Sequence, residues 1–176
     1  MNWIQQHENN VAYYSNLIGK NINLKYEDLD NLYIAACLHD IGKNEIPNKL
    51  LCKIEPLTKD EFDMIKLHAY YGSEILRKDN YSAKVVDAVL YHHERIDGNG
   101  YYRLKSNEIN LFSIIITIAD SFDSMVSLRP YNAKNIKTHK EALNEIKRNL
   151  GTQFDNELGT IFINLIKNDR NISWEI

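Results

Sequence analysis

An all-α fold is predicted by three observations. Apolar residues recur at three- and four-residue steps through most of the chain, and Thr58/Glu61 and Thr138/Glu141 have the spacing of capping boxes. No stretch alternates apolar and polar residues at the two-residue period of a strand. The elements then follow in order. Over 3–18, Trp3, His7, Val11, Tyr14 and Ile18 share one helix face. Over about 27–39 a second helix places Leu29, Leu32, Tyr33, Ala36 and Cys37 inward, with His39 and Asp40 in its last turn and Gly42 as its stop. The stretch IGKNEIPNKLLCKIEPL, with Gly42, Pro47 and Pro56, is an irregular connection holding a short turn of helix at 48–52. Thr58 starts a helix whose inward period is Phe62, Ile65, His68 or Ala69, Gly72 and Ile75. Ser82 caps the next, where Val85, Val86, Val89 and Leu90 lead into His92 and His93. After the polar loop HERIDGNGYYRLKSNEIN, a helix over 111–127 shows Ile114, Ile115, Ile118, Phe122 and Met125 on its apolar face, with Asp120 in mid-helix. Helices after Thr138 and over 156–167 complete the set.

The chain has 176 residues, 44% hydrophobic and 26% charged, which fits one soluble domain over 1–176 with a real core; no repeat, low-complexity tract or linker divides it. A formal charge of -3 gives no general attraction to polyanions, so a nucleic-acid polymer is not an expected partner, whereas a local basic pocket for a small anion is compatible. The longest apolar stretch, 111–119, carries Ser113 and Thr117 and falls far short of the ~20 residues that cross a bilayer. The opening MNWIQQHENN has none of the parts of a secretory signal, and a cytoplasmic location is expected. Cys37 and Cys52 are not spaced as a C-x-x-C pair, and Cys37 in IAACL reads as a core position, so neither suggests a disulfide or zinc-finger.

The candidate chemistry lies in histidines and carboxylates. His39-Asp40, His68, His92, His93 and Asp120 recur at the ends and inner faces of successive helices, and His7 lies on the inner face of the first. A His-Asp dipeptide alone says little, and a histidine pair at a helix end is also explained by the dipole. Asp120, however, sits in the apolar run IIITIADSFD, where an ionised carboxylate needs a cation or a hydrogen-bonded partner. Seven such groups from separate helices, His7, His39, Asp40, His68, His92, His93 and Asp120, point to a metal centre in a bundle interior. Imidazoles with carboxylates favour divalent transition metals over calcium, iron or manganese first, with zinc, cobalt and nickel also compatible. Seven ligands exceed one ion, and two ions about 3.5–4 Å apart, bridged by one Asp and a water, is the arrangement used for phosphate-ester cleavage. Lys43 on its Gly-containing turn, the glycine-rich loop with Arg95, Tyr101 and Arg103, and Arg129 in LRPY are candidates for holding an anionic substrate.

The motifs HDIGKNEIP, His68 with Gly72, HHERIDGNGY, IADSFDSM, RPY and GTQFD, in this order over most of the chain, resemble the HD-GYP branch of the HD-domain metal phosphohydrolases. The resemblance implies a single compact helical bundle of the HD-domain type around a central metal site, bacterial origin, and phosphodiesterase activity on cyclic dinucleotides, chiefly cyclic di-GMP. It implies that His39, Asp40, His68, His92, His93 and Asp120 ligate metal, with Asp40 bridging, and that His7 matches an upstream histidine ligand. Lys43 resembles the lysine on the scissile phosphate, Tyr101 and Arg129 resemble residues that hold the dinucleotide, and Asp123 would support a ligand from behind. Three positions depart from the pattern. Tyr102 stands in place of the motif's Pro, removing a fixed-φ residue from the loop; Trp3 stands where three-metal members carry Glu, so two ions are expected; and Asn132 follows RPY where a basic residue is frequent.

The resulting expectation is hydrolysis of cyclic di-GMP to a linear dinucleotide, GMP or both, with Asp40 and Lys43 as catalytic groups and Lys43, Arg95, Tyr101 and Arg129 on the substrate. The alternatives are an HD-type phosphohydrolase acting on another nucleotide or phosphate ester, and a catalytically silent module that binds a cyclic dinucleotide in signalling. A regulatory protein partner is left open.

Overall fold

Helix α6, Leu111–Val126, is the axis of the fold. Its sequence LFSIIITIADSFDSMV is apolar on nearly every side, and the structure buries Phe112, Ser113, Ile115 to Ala119, Phe122 and Asp123. The computed structural model describes residues 3–128 and 136–169. Around α6 lie α1 (Trp3–Asn21), α2 (Tyr26–Leu38), α5 (Ala83–Tyr91), α7 (His139–Arg148) and α8 (Asn156–Asn168), all of which touch it. α4 (Lys59–Lys78) packs on α5, and the short α3 (Asn48–Leu51) rests on α4. Among the described residues there is no strand, only an isolated bridge between Leu150 and Phe154. The bundle is all-α, as the periodicity predicts.

The caps are where the sequence places them. Thr58 and Thr138 each accept from the amide three residues on, and Glu61 and Glu141 reach back to the cap amides. Ser82 caps α5; Asn110 and Asp155, not singled out in the sequence, cap α6 and α8 by accepting two amides each. Below the polar centre, the rings of Tyr14, Phe122 and Phe162 meet edge to face at centroid distances of 5.1 to 5.9 Å and tie α1, α6 and α8 together.

Three expectations of burial are corrected. Tyr33 is 46% exposed and Phe62 43% exposed, because each lies at the margin of its helix's apolar arc rather than at its centre. Cys37 is half-buried rather than a core residue, since it borders a cavity beside α1. The apolar arc of α6 is also wider than the five residues read from period alone, because helices cover it on several sides, while Ile114 and Met125 are only partly buried.

One contact fixes the site above all. After α2 the chain makes a 3₁₀ turn, Ile41–Glu45, that lies directly on the backbone of α4. A Cβ at Gly42 would fall 1.9 Å from the carbonyl oxygen of His68 and 2.4 Å from the amide nitrogen of Gly72. Only glycine allows this approach, and it brings Asp40 to His68. Gly42→Ala is expected to destabilise the fold by about 1–3 kcal/mol through overpacking, read as a lower urea midpoint at unchanged slope.

Candidate metal centre

Five helices and the segments that leave them supply the polar interior. His7 comes from the middle of α1, His39 and His92 are the residues that end α2 and α5, His68 lies within α4, and Asp120 lies within α6. His7, His39, Asp40, His68 and His92 are buried; His93 and Asp120 are partly so. Two groups of potential ligand atoms each fall within 4.8 Å of one another: His68, His92 and His93, and His7, His39 and Asp40. Asp40 faces both. Its Oδ2 is 3.5 Å from His39 Nε2 and 3.8 Å from His7 Nε2, and its Oδ1 is 3.5 Å from His68 Nε2. Asp120 Oδ1 lies 3.3 Å from His7 Nε2. All seven expected residues are therefore brought to one place.

The hydrogen bonds behind the imidazoles settle their tautomers. His39, His68 and His92 each place Nδ1 2.7–2.8 Å from the carbonyl oxygen three residues earlier, on Ala36, Ile65 and Val89. A carbonyl only accepts, so Nδ1 carries the proton and Nε2 presents a lone pair to the interior. His7 achieves the same with a carboxylate: its Nδ1 donates to Asp123 Oδ2 at 2.6 Å, while Asp123 Oδ1 accepts from Asn10 and Ser127. Asp123 thus sits behind the centre as the resemblance implies. Asn10, one turn along α1 from His7, went unnoticed in the sequence; its i+3 spacing is the signal that was available.

These lone pairs point at one another. His68 Nε2 is 3.3 Å from His92 Nε2 and 3.2 Å from His93 Nε2, and the buried Nε2 of His39 has no hydrogen-bond partner. Converging acceptors with carboxylate oxygens among them are costly to bury unless a cation lies between them. The donor set of nitrogen and oxygen suits a divalent transition ion, and the carbonyl or carboxylate behind each imidazole is the support such ligands use.

Electrostatics agree with that fit. Burial opposes ionisation of Asp40, yet Lys43 first, then His39 and His68, hold its carboxyl well below the usual carboxylate range. Burial likewise opposes ionisation of Asp120, yet its carboxyl, beside His7, His39 and His93, lies well below the usual carboxylate range. Desolvation pushes His68, His92 and His93 down, His93 to about 3. Ionised carboxylates beside neutral imidazoles are the protonation states a metal requires.

Lys43 Nζ lies 2.5 Å from Asp40 Oδ2, at the mouth of a cavity of about 760 Å³. The cavity is bordered by Trp3, Glu8, Leu38, Ile41, Leu50 and Ile65 among others, and reaches His7 and Asp40. Tyr101 leans on His93 with ring centroids 4.5 Å apart. Burial, with Asp120 and Asp40 nearby, pushes its hydroxyl above the usual phenol range, so it stays a donor. The Arg95 guanidinium forms a two-pronged pair with Asp97 at 2.7 and 3.0 Å and reaches Gln153 at 3.1 Å, pinning the loop to the turn before α8. Arg129 and Asn132 lie outside the described residues.

Glu94 is the site residue that the sequence did not reveal. Only 2% exposed, its carboxylate accepts the amides of Tyr102 at 2.6 Å and Leu104 at 2.8 Å, closing the 94–104 loop beneath Tyr101. Gly100 passes so close that a Cβ would lie 2.6 Å from the Glu94 Cα. The Tyr102 bond bears on the lost Pro, because proline has no N–H to give. Where the family motif stiffens the loop covalently, this chain closes it with one more hydrogen bond.

A helical bundle around a buried cluster of imidazoles and carboxylates, built to hold metal, is the class of protein that fold and site define. The HD domain family matches residues 1–158, and the chain belongs to that family. It is 39% identical over 165 residues to a cyclic di-GMP phosphodiesterase of Thermotoga maritima, covering 92% of this chain and 44% of that protein. It is 37% identical over 154 residues to 3'3'-cGAMP-specific phosphodiesterase 3 of Vibrio cholerae, covering 86% of this chain and 33% of that one. The chain thus spans less than half the length of these relatives. In fold it matches Bd1817, an HDG"Y"P protein from Bdellovibrio bacteriovorus, with a TM-score of 0.75 at 16% identity over 94% of this chain and 53% of the other. The HD-GYP resemblance read from the motifs is borne out.

A pH dependence follows from the buried imidazoles. Their pKa values lie near ~6.5 in an unfolded chain and lower in the fold, so protons bind the unfolded state preferentially once pH drops below ~6.5. Their neutral burial is free of this penalty above that value and costs about 1.4 kcal/mol per pH unit for each histidine kept neutral below it. For His93 the window extends down to about 3. Chelator-treated protein is expected to melt at clearly lower temperature at pH 5.5 than at pH 7.5; equal melting temperatures would contradict the burial of these imidazoles in neutral form.

Proposed function

We propose that this domain is a two-metal phosphodiesterase that hydrolyses a cyclic dinucleotide, with cyclic di-GMP as the first candidate. The observation that carries the reading is Asp40, which faces both ligand groups at once and carries Lys43 on the oxygen that faces His7 and His39. His7, His39 and Asp120 would hold one ion and His68, His92 and His93 the other, with Asp40 shared; iron or manganese suits this set best. Two such ions supply an activated water at neutral pH and offset the charge on the phosphoryl oxygens.

The chain's own groups account for the rest. Lys43, half exposed to the cavity and fixed by Asp40, offers its ammonium to the scissile phosphate and to the charge that develops on the leaving 3′ oxygen. Tyr101 keeps its proton and donates a hydrogen bond to the substrate from beside His93, where Glu94 fixes its loop. The cavity beside Lys43 is within the ~300–1,000 Å³ range of small-molecule sites and gives a base and ribose room next to the centre. Relatives that are named cyclic di-GMP and 3'3'-cGAMP phosphodiesterases support this substrate class over mononucleotides. Among the described residues no helix is long and apolar enough to cross a membrane.

Anaerobically purified protein is expected to carry two ions per chain and to convert cyclic di-GMP into linear dinucleotide or GMP. Asp40→Ala should lower turnover by about 10³-fold or more, the loss typical of a central electrostatic group. Unchanged turnover in that variant, or faster cleavage of a mononucleotide than of any cyclic dinucleotide by the parent protein, would overturn the assignment.

A further inference from the structure

Beyond Tyr101, the mouth of the centre carries an arrangement that the expected machinery does not use. Phe62, in the first turn of α4, is 43% exposed. Its ring stands at 87° to Tyr101 with centroids 6.4 Å apart. Lys66, one turn further along α4, holds its Nζ 4.7 Å from the Phe62 centroid and 5.7 Å from that of Tyr101. Asp63 anchors the same ammonium at 2.8 Å and also faces Lys59. Tyr101 in turn lies 4.5 Å from the His93 ring and 6.4 Å from the His68 ring. A lysine is thereby stationed one aromatic ring away from the metal ligands.

An i,i+3 pair on a helix surface accounts for Asp63 and Lys66 alone. It does not account for an ammonium suspended over two rings at the entrance of a site, one of them an apolar side chain left open to solvent. Cation–π contact restrains a flexible lysine without neutralising it, and the pair with Asp63, partly exposed to solvent, is weak enough for an incoming phosphodiester to compete for the ammonium. A cyclic dinucleotide presents two phosphodiesters. Lys43 is placed for the one at the metal centre, and the second must leave the centre on some side.

We propose that Lys66, held by Phe62 and Tyr101, binds the phosphodiester of the cyclic dinucleotide that is not being cleaved. This rests on the reading of the centre as a cyclic-dinucleotide phosphodiesterase. It makes Lys66 a determinant of cyclic-dinucleotide recognition over simple phosphodiesters, and Phe62 the residue that positions it.

The test separates this subsite from the metal centre. Metal-loaded protein is titrated with cyclic di-GMP carrying phosphorothioate linkages, to read binding, and assayed with cyclic di-GMP and with bis(p-nitrophenyl) phosphate, which has a single phosphodiester. Lys66→Ala should raise both the Kd of the analogue and the KM for cyclic di-GMP about tenfold, the worth of one charge-assisted contact, while kcat and the rate with bis(p-nitrophenyl) phosphate stay within twofold. Lys66→Arg should restore most of the loss, and Phe62→Ala should give a smaller rise in KM. Lys66→Ala with the parent's Kd and KM, or with an equal loss on both substrates, would overturn the subsite and leave the hydrolase reading intact. A parent protein that binds the analogue but cleaves neither substrate would overturn the hydrolase reading, and the Kd ratio would still decide the subsite. Failure of the parent to bind the analogue overturns both.

Discussion

The imidazoles of His39, His68 and His92 each donate Nδ1–H to the carbonyl three residues back, and this repeated bond turns three Nε2 lone pairs onto Asp40 and onto one another. At the ends of α2 and α5 those carbonyls belong to the last helical turn, which has carbonyls to spare, so the bond satisfies the helix end as well as the ring. The same bond orients the donor and fixes which nitrogen is free. With His7 turned by Asp123 in the same sense, four rings are locked in the one tautomer that repels its neighbours when nothing lies between them. A cation between those nitrogens converts the repulsion into binding energy, so metal affinity and fold stability share one source.

Holding that point in place depends on backbones approaching where the helices cross. Gly42 lets the turn after α2 touch α4 at His68 and Gly72, and Gly72 is itself tight against Val89 of α5. Asp has a short side chain, and only this approach lets Asp40 reach imidazoles from α1, α2 and α4 together. From below, Thr117 on α6 donates to the carbonyl of His92 at 2.6 Å, which seats the end of α5 on the central helix. The apolar packing of α6 therefore acts on the chemistry through one hydroxyl and two carboxylates, those of Asp120 and Asp123.

Much of this was legible in the sequence, for a physical reason. Helical period and capping boxes are local, so α1, α2, α4, α5 and α6 and the inward place of His7, His68 and Asp120 follow from spacing alone. Charge burial made Asp120 informative, since an acid inside IIITIADSFD needs a counter-charge. What spacing does not carry is the partner of a loop residue. Arg95, Glu94 and Tyr101 share one glycine-rich loop, and their different fates depend on which backbone amides and which neighbouring turn the loop meets. Arg95 went to Asp97 and Gln153, whereas Glu94, which no pattern marked, became the group the loop folds around. Phe62 and Tyr33 show the same limit on helices, where one residue at the edge of the apolar arc can fall on either side of the surface.

Tyr102 shows how a motif can change while its geometry holds. A proline at this position restricts φ and the residue before it, which is Tyr101 itself, and so orients the tyrosine through the chain. Here the orientation comes through space. The buried carboxylate of Glu94 gathers the amides of Tyr102 and Leu104, Arg103 takes the left-handed conformation between them at φ 59, and Tyr102 rests its ring edge-on against Tyr91 at 5.5 Å. The Tyr102 amide bond exists only because the position is not proline, and the carboxylate that accepts it is shielded from water, where hydrogen bonds are strongest. The loop has exchanged conformational restriction for a hydrogen bond, and Tyr101 still rests against His93.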